Sequence, residues 1–189
     1  MTDFSTMRTI CFTGPRPNKL YGYKNKEKYQ KLVDCIHDFL RGFCRIESDE
    51  ILTVITGGAQ GIDQLAFWAA KNEVYIPFVG QEELWNETGL FGKKEYRKMK
   101  SMSDKIVDVS KIRTLDVSTN DGKIKALLER NKEMVDNSQM IVGLYPLNKD
   151  FTKDRNSGTA SCLRYAKGKI PICLIDPESH LIEFHPCNE

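Results

Sequence analysis

This 189-residue chain has little of several things, and each scarcity excludes something. No uninterrupted apolar run approaches the ~20 residues that a bilayer-spanning helix needs. The N-terminus, MTDFSTMRTICFTG, has no basic stretch followed by an apolar one and a small-residue cleavage site. These absences predict a cytoplasmic protein with no membrane association. Charge of one sign is scarce too, with 28 Lys and Arg against 26 Asp and Glu and a formal net charge of +2. A protein that coats nucleic acid normally carries a strongly basic face or tail, so nucleic acid is the less favoured partner. The six cysteines, Cys11, Cys35, Cys44, Cys162, Cys173 and Cys187, never occur as CxxC, which argues against a disulfide scaffold. Cys11 and Cys173 lie in apolar, strand-like runs where a reduced thiol behaves as a small hydrophobe. His180, His185 and Cys187, in HLIEFHPC, match no zinc spacing with a second ligand pair, so no metal site is expected. Internal repeats, low-complexity tracts and Pro/Gly/Ser-rich linkers are also missing. Residues 1–189 are therefore expected as one domain, with a core over about 8–175 and a short C-terminal tail over 176–189.

What the chain does have is an alternation of short apolar runs and longer amphipathic stretches. Strands are predicted over Arg8–Thr13, Ile51–Thr56, Val74–Val79, Lys105–Val109, Gln139–Leu144 and Ile170–Ile175, all rich in β-branched residues. Helices are predicted over Lys26–Phe43, Asp63–Lys71, Lys93–Met102, Lys123–Asp136 and Thr159–Lys167. Each connection is long enough for a βαβ crossover. The pattern predicts an α/β fold: a Rossmann-like, doubly wound, mostly parallel sheet of about six strands with helices on both faces. The polar segments Asp116–Gly122 and Pro146–Ser157 are expected to be mobile loops.

In such a sheet a ligand binds beyond the carboxyl ends of the strands, near the point where strand order reverses. After the first expected strand come Thr13, Gly14, Pro15, Arg16 and Pro17. After the second come Thr56, Gly57, Gly58, Ala59, Gln60, Gly61, Ile62 and Asp63; after the third, Gly80, Gln81 and then Trp85. Beyond the fifth and a polar loop come Asn156, Ser157, Gly158 and Thr159. In TGGAQGID the glycines let the backbone approach a ligand, and the helix that follows offers free N–H groups and a positive dipole end to an anion. Phosphate is the expected guest, with a ligand-free strand-to-helix turn as the alternative. The segment is neither GxGxxG nor a P-loop, so ordinary NAD binding and P-loop hydrolysis do not follow from it. NSGT opens the last helix, where Thr159 either caps the helix or bonds a phosphate oxygen. Arg16 offers the bidentate fork that suits phosphate. Arg130 and Asn131 sit on a helix whose Leu127, Leu128, Met134 and Val135 are expected to face the core; Arg130 points either to solvent or toward the loops. Trp85 either stacks on a base or packs beside Leu84. Two lysine-rich stretches, Lys93, Lys94, Arg97, Lys98 and Lys100 in one helix and Lys19, Lys24, Lys26, Lys28 and Lys31 near the first loop, read as solvated faces. At the ligand edge they would instead concentrate an anion.

TGPRP, TGGAQGID, Gln81 with Trp85, ERNKEMVDNS and SGTA occur in this order between about Arg8 and Ile175. Together they resemble the SLOG superfamily, which unites the DNA-processing protein DprA/Smf with the Lonely Guy phosphoribohydrolases. The chain is most similar to the small YspA/YpsA-like branch of bacteria and phages. The resemblance implies a Rossmann-like fold that binds nucleotides or nucleotide-derived ligands, and a homodimer. Lonely Guy enzymes carry PGGxGTxxEE, whose glutamate assists cleavage of the N-glycosidic bond. The matching stretch here is NSGTASCLR, with Ser161 and Cys162 near where acids are expected. Cleavage of that kind normally calls for a carboxylate near the anomeric carbon, and Asp63 is the only motif acid at the edge.

The expectation is therefore binding or sensing of a nucleotide or nucleotide-derived ligand, NAD derivatives included, with no cofactor firmly implied. Gly57, Gly58, Gly61, Gly158 and Thr159 would hold phosphate, Arg16 would neutralise charge, and Gln81 and Trp85 would address the base. Thr13, Gly14, Pro17, Thr56, Ala59, Asp63, Arg130, Asn131 and Ser157 would complete the site. Two alternatives stand. One is an N-glycosidase or phosphoribohydrolase acting on nucleoside monophosphates or NAD-like substrates, with Asp63 as its carboxylate. The other is DprA-like binding of single-stranded nucleic acid.

Overall fold

A parallel sheet covered on both faces needs strands that are apolar on both sides, and short continuous apolar runs meet that need. Such runs form β1 (Thr9–Thr13), β2 (Thr53–Thr56), β3 (Lys71–Ile76), β4 (Lys105–Asp108), β5 (Met140–Leu144) and β6 (Ile172–Ile175), followed by β7 (Ile182–His185). The structure, a computed structural model, describes residues 7–43, 52–67 and 71–187. The connecting helices are α1 (Lys26–Phe43), α2 (Ile62–Phe67), α3 (Lys93–Met102), α4 (Val109–Ile112), α5 (Asn120–Asp136) and α6 (Gly158–Ala166), with a 3-10 turn over Pro17–Lys19.

The strands form one seven-stranded sheet in the order β4-β3-β2-β1-β5-β6-β7. All neighbouring pairs are parallel except β6 with β7. The sheet grows outward from β1 in one direction, then resumes on its other side with β5, which is the doubly wound, Rossmann-like pattern. Alternate side chains of the strands feed two cores. Ile10, Phe12, Val54, Met140 and Val142 pack against Leu32, Ile36, Phe39 and Leu40 of α1 and Ile62 and Ala66 of α2. On the opposite face Cys11, Ile55, Tyr75 and Ile141 meet Met134 and Val135 of α5 and Ala160, Leu163 and Ala166 of α6. A smaller cluster joins Val74 and Ile76 to Tyr96 and Met99 of α3.

The differences from expectation have local causes. The sheet has a seventh strand, because LIEFH, expected within a tail, pairs antiparallel with β6 in the register Ile175↔Ile182 and Ile172↔His185. β3 starts at Lys71 and stops at Ile76, the residue before Pro77, which has no N–H to give a ladder. Pro171 likewise delays β6 to Ile172. α2 ends among the described residues at Phe67, so Lys71 opens a strand rather than closing a helix. Ile51, Cys44 and the 68–70 stretch of that expected helix lie outside the described residues. α5 begins at Asn120 because Thr119 caps it, its side chain accepting the Gly122 N–H. The 146–157 loop is not free. Phe151 is buried in the second core, and Arg164 Nη1 donates to its carbonyl at 3.0 Å and also to the carbonyl of Asp154. Cys11, Cys35, Cys162, Cys173 and Cys187 are reduced, with no disulfide among them.

Candidate functional site

Strand order reverses between β1 and β5, so the loops at their carboxyl ends part and leave a crevice. The cleft there has a volume of about 340 Å³. Thr13, Gly14, Arg16, Asn18 and Lys19 line it from the β1 side, and Ala59 and Asp63 from the β2–α2 loop and the start of α2. Leu127, Leu128, Arg130 and Asn131 line it from α5, and Ser157, Gly158 and Thr159 from the start of α6.

Arg130 organises one wall. It lies on the inward stripe of α5 with Ala126 and Met134, spaced four residues apart, and is only 8% exposed. Its Nη1 donates to the Gly57 carbonyl at 2.8 Å and lies 3.5 Å from Asp63 Oδ2, while its Nε donates to Asn131 Oδ1 at 3.1 Å. Asp63 Oδ2 also accepts the Ala59 N–H at 3.2 Å. Burial raises the Asp63 carboxyl above the usual aspartate range, against the opposing pull of Arg130, the Ala59 and Gly57 amides and Arg16. Gly57 is needed because a Cβ there would fall 2.1 Å from Arg130 Nη1 and 2.7 Å from Asp63 Oδ2. Gly61 has φ +98°, and a Cβ would come within 2.7 Å of the Pro15 carbonyl oxygen of the neighbouring loop. Gly61→Ala is expected to lower stability by about 1–3 kcal/mol, the usual cost of a side chain in such a backbone, visible as a lower Tm.

The start of α6 forms the facing wall. Ser157 caps the helix by accepting the Ala160 N–H at 3.2 Å, which leaves the first amides without an intrahelical partner. Thr159 is 6% exposed and lines the cleft. Arg16 is exposed at the rim of the cleft, and its carbonyl accepts the Lys19 N–H at 2.9 Å. Lys19 Nζ reaches across to the Asn156 carbonyl at 3.4 Å. Cys162 lies within the core, where burial pushes its thiol up to about 12, so it is a packing residue rather than a nucleophile.

The other expected site residues are placed elsewhere. Thr56 and Pro17 are buried beside the cleft without lining it. Gly58 turns toward the α3 cluster, where an added Cβ would meet Tyr96 and Val74 at 3.1 Å. Gln81 Nε2 donates to the Tyr96 hydroxyl at 2.6 Å, and Trp85 stands edge-on to the Tyr96 ring at 5.0 Å. Both pack around α3. The basic residues of α3 do not line the cleft either, and Arg97 and Lys100 pair with Glu87 and Glu82. Of the first-loop lysines only Lys19 lines it. Asn18, Leu127 and Leu128 join the lining although their sequence context singled out none of them for a site. Leu128 is 46% exposed and Leu127 half-buried, so neither faces the core as expected. Their signal was available in register: they flank the helix turn that carries Arg130 and Asn131.

A family model, that of the YspA SLOG family (YpsA), matches residues 10–179. The SPbeta prophage-derived protein YoqJ of Bacillus subtilis is 33% identical over 126 residues, covering 60% of this chain and 68% of YoqJ. Among solved structures, DNA processing protein A (DprA) of Streptococcus pneumoniae matches with a TM-score of 0.54 at 13% identity, covering 91% of this chain and 51% of that one. This chain thus spans about half the length of that protein. DNA processing protein A of Helicobacter pylori matches with a TM-score of 0.48 at 13% identity, over 92% of this chain and 68% of that one. At such identities structural likeness shows the fold alone. No helix among the described residues is long and apolar enough to cross a membrane. Every residue that lines the cleft falls inside the matched span: the chain belongs to the YspA SLOG family, whose membership implies a nucleotide-related ligand in general terms.

Proposed function

We propose that the chain binds a nucleotide-derived ligand whose phosphate sits at the N-terminus of α6, between the Thr159 hydroxyl, the first amides of the helix, and Arg16 and Lys19. The observation that carries this reading is a convergence at the reversal of strand order: Thr159, 6% exposed, lines the cleft at the start of α6 together with Arg16 and Lys19. A phosphate there would bond the free amides and the Thr159 hydroxyl, in the place where the helix dipole and two cations also favour an anion. Leu127 and Leu128 supply an apolar wall for a base or sugar, as ligand clefts usually do. In this reading the glycine loop after β2 seats Arg130 and shapes the cleft, and Gln81 and Trp85 support α3.

Binding without cleavage fits the state of Asp63, whose carboxylate is already engaged by Arg130 and loop amides. Incubation with AMP, other nucleoside monophosphates or NAD is expected to release no free base by chromatography, and release would establish the hydrolase reading instead. Thermal shift and calorimetric titration with the same compounds test the binding itself. Stabilisation by at least one of them is expected, and none by any would overturn the proposal. Arg16→Ala should weaken that affinity about tenfold, the worth of one charge-assisted hydrogen bond. The DprA likeness raises single-stranded nucleic acid as a ligand, and an oligonucleotide affinity that falls steeply with salt would favour it. With the α3 cations away from the cleft, no such slope is expected.

A further inference from the structure

A second chamber of about 200 Å³ adjoins the cleft, and the two share Lys19, Ser157 and Thr159. The loop after β1 divides them, with Gly14 and Arg16 facing the first and Pro15 and Leu20 the second. The far wall of the second chamber comes from Tyr145, Pro146 and Pro177. At its polar end Asp154 accepts the Tyr145 hydroxyl at 3.0 Å and the Asn156 N–H at 3.0 Å. Resting on the phosphate reading above, we infer that the ligand is two-armed: a phosphodiester or pyrophosphate that straddles the start of α6, with one organic group in each chamber.

Three observations support it. The second chamber is smaller than the roughly 300 Å³ at which small-molecule pockets usually begin, so it is intelligible as an annexe to the neighbouring cleft. Its apolar sides and single carboxylate suit a sugar or a small ring bearing hydroxyls. The Tyr145 hydrogen bond, with the Asn156 amide, Lys19 and Lys149, holds the Asp154 carboxyl below its usual range and so keeps it an acceptor. The wall is also fixed in advance, because Arg164 holds the carbonyls of Phe151 and Asp154, and a preorganised wall reduces the ordering cost of binding. The two arms meet where the helix amides, the Thr159 hydroxyl and two cations converge, which is where a bridging phosphate belongs.

Calorimetric titration of the intact chain with AMP, ADP, ADP-ribose and NAD tests the inference. ADP-ribose or NAD is expected to bind at least tenfold more tightly than AMP or ADP. Asn156→Trp, at an exposed position of the second chamber only, should remove that advantage while leaving AMP affinity within twofold. AMP binding with no gain from the second arm would overturn the two-armed ligand and leave the phosphate reading intact. Failure of all four compounds to bind would overturn both. The comparison on the unaltered chain stands whether or not the Trp variant folds.

Discussion

Arg130→Met is expected to destabilise the fold by about 3 kcal/mol, the usual cost of leaving one member of a buried ion pair alone, measured by denaturant titration. Its side chain and that of Asp63 are 10% and 7% exposed, so water replaces the lost partner poorly. The Gly57 carbonyl loses its Arg130 donor at the same time. The effect should depend on pH. Burial already raises the folded-state pKa of Asp63 above its ordinary value, so the folded chain holds that proton more tightly than the unfolded one. The contribution of this group to stability is therefore greatest below the ordinary aspartate range and falls as pH rises through the folded value. Without Arg130, the largest opposing influence, the folded value climbs further and the window extends upward. Arg130→Met should thus lose more stability at about pH 8 than at about pH 5. Adding Asp63→Asn should restore part of the loss, because it removes the stranded charge. Equal losses at both pH values, with the two substitutions simply additive, would show that packing alone is responsible.

Gly158→Asp should abolish phosphate binding without harming the fold. A Cβ at this position meets nothing within 4 Å, and an acid in the first turn of a helix is worth a few tenths of a kcal/mol in its favour. Its carboxylate would occupy the region assigned to the phosphate and repel it, so affinity for any nucleotide that binds the unaltered chain should fall at least a hundredfold, about 3 kcal/mol. Tm in the absence of ligand should stay level or rise slightly. Retained affinity in this variant would move the phosphate away from α6. An acid at Gly58, the more conspicuous glycine in the sequence, would be a poor substitute: it would enter the Tyr96–Val74 packing and test folding rather than binding.

That contrast shows what residue patterns alone convey. Apolar runs placed the six parallel strands because burial on both faces demands them, and amphipathic spacing set α1 and α3 at the limits observed. That small and polar residues at the carboxyl ends border a cleft is legible for the same reason: topology determines where loops meet. The occupant of the space beside a glycine was not legible. Gly57 makes room for an arginine from α5 and Gly58 for a tyrosine from α3, both contributed by distant segments. α5 misled for a related reason. Its leucines carry the apolar signal, yet the helix turns Ala126, Arg130 and Met134 inward because a carbonyl and a carboxylate in the β2–α2 loop reward the guanidinium. β7 escaped notice because a four-residue edge strand with exposed and half-buried positions has little periodicity to show.

The pairing of β1 with β5, in the register Ile10↔Met140 through Thr13↔Gly143, bears on how the chain reaches its working form. Everything from β2 to α5 must be looped out before these two strands can meet, and such non-local pairing is the slow part of folding. The cleft draws on loops that belong to both sides of that closure, so a chain with only β1 to β4 assembled has no cleft to fill. A ligand that recognises the finished arrangement adds its binding free energy to the native state alone. Ligand concentration would then act as a brake on unfolding, and the rate at which binding appears during refolding would clock the final union of the two halves of the sheet.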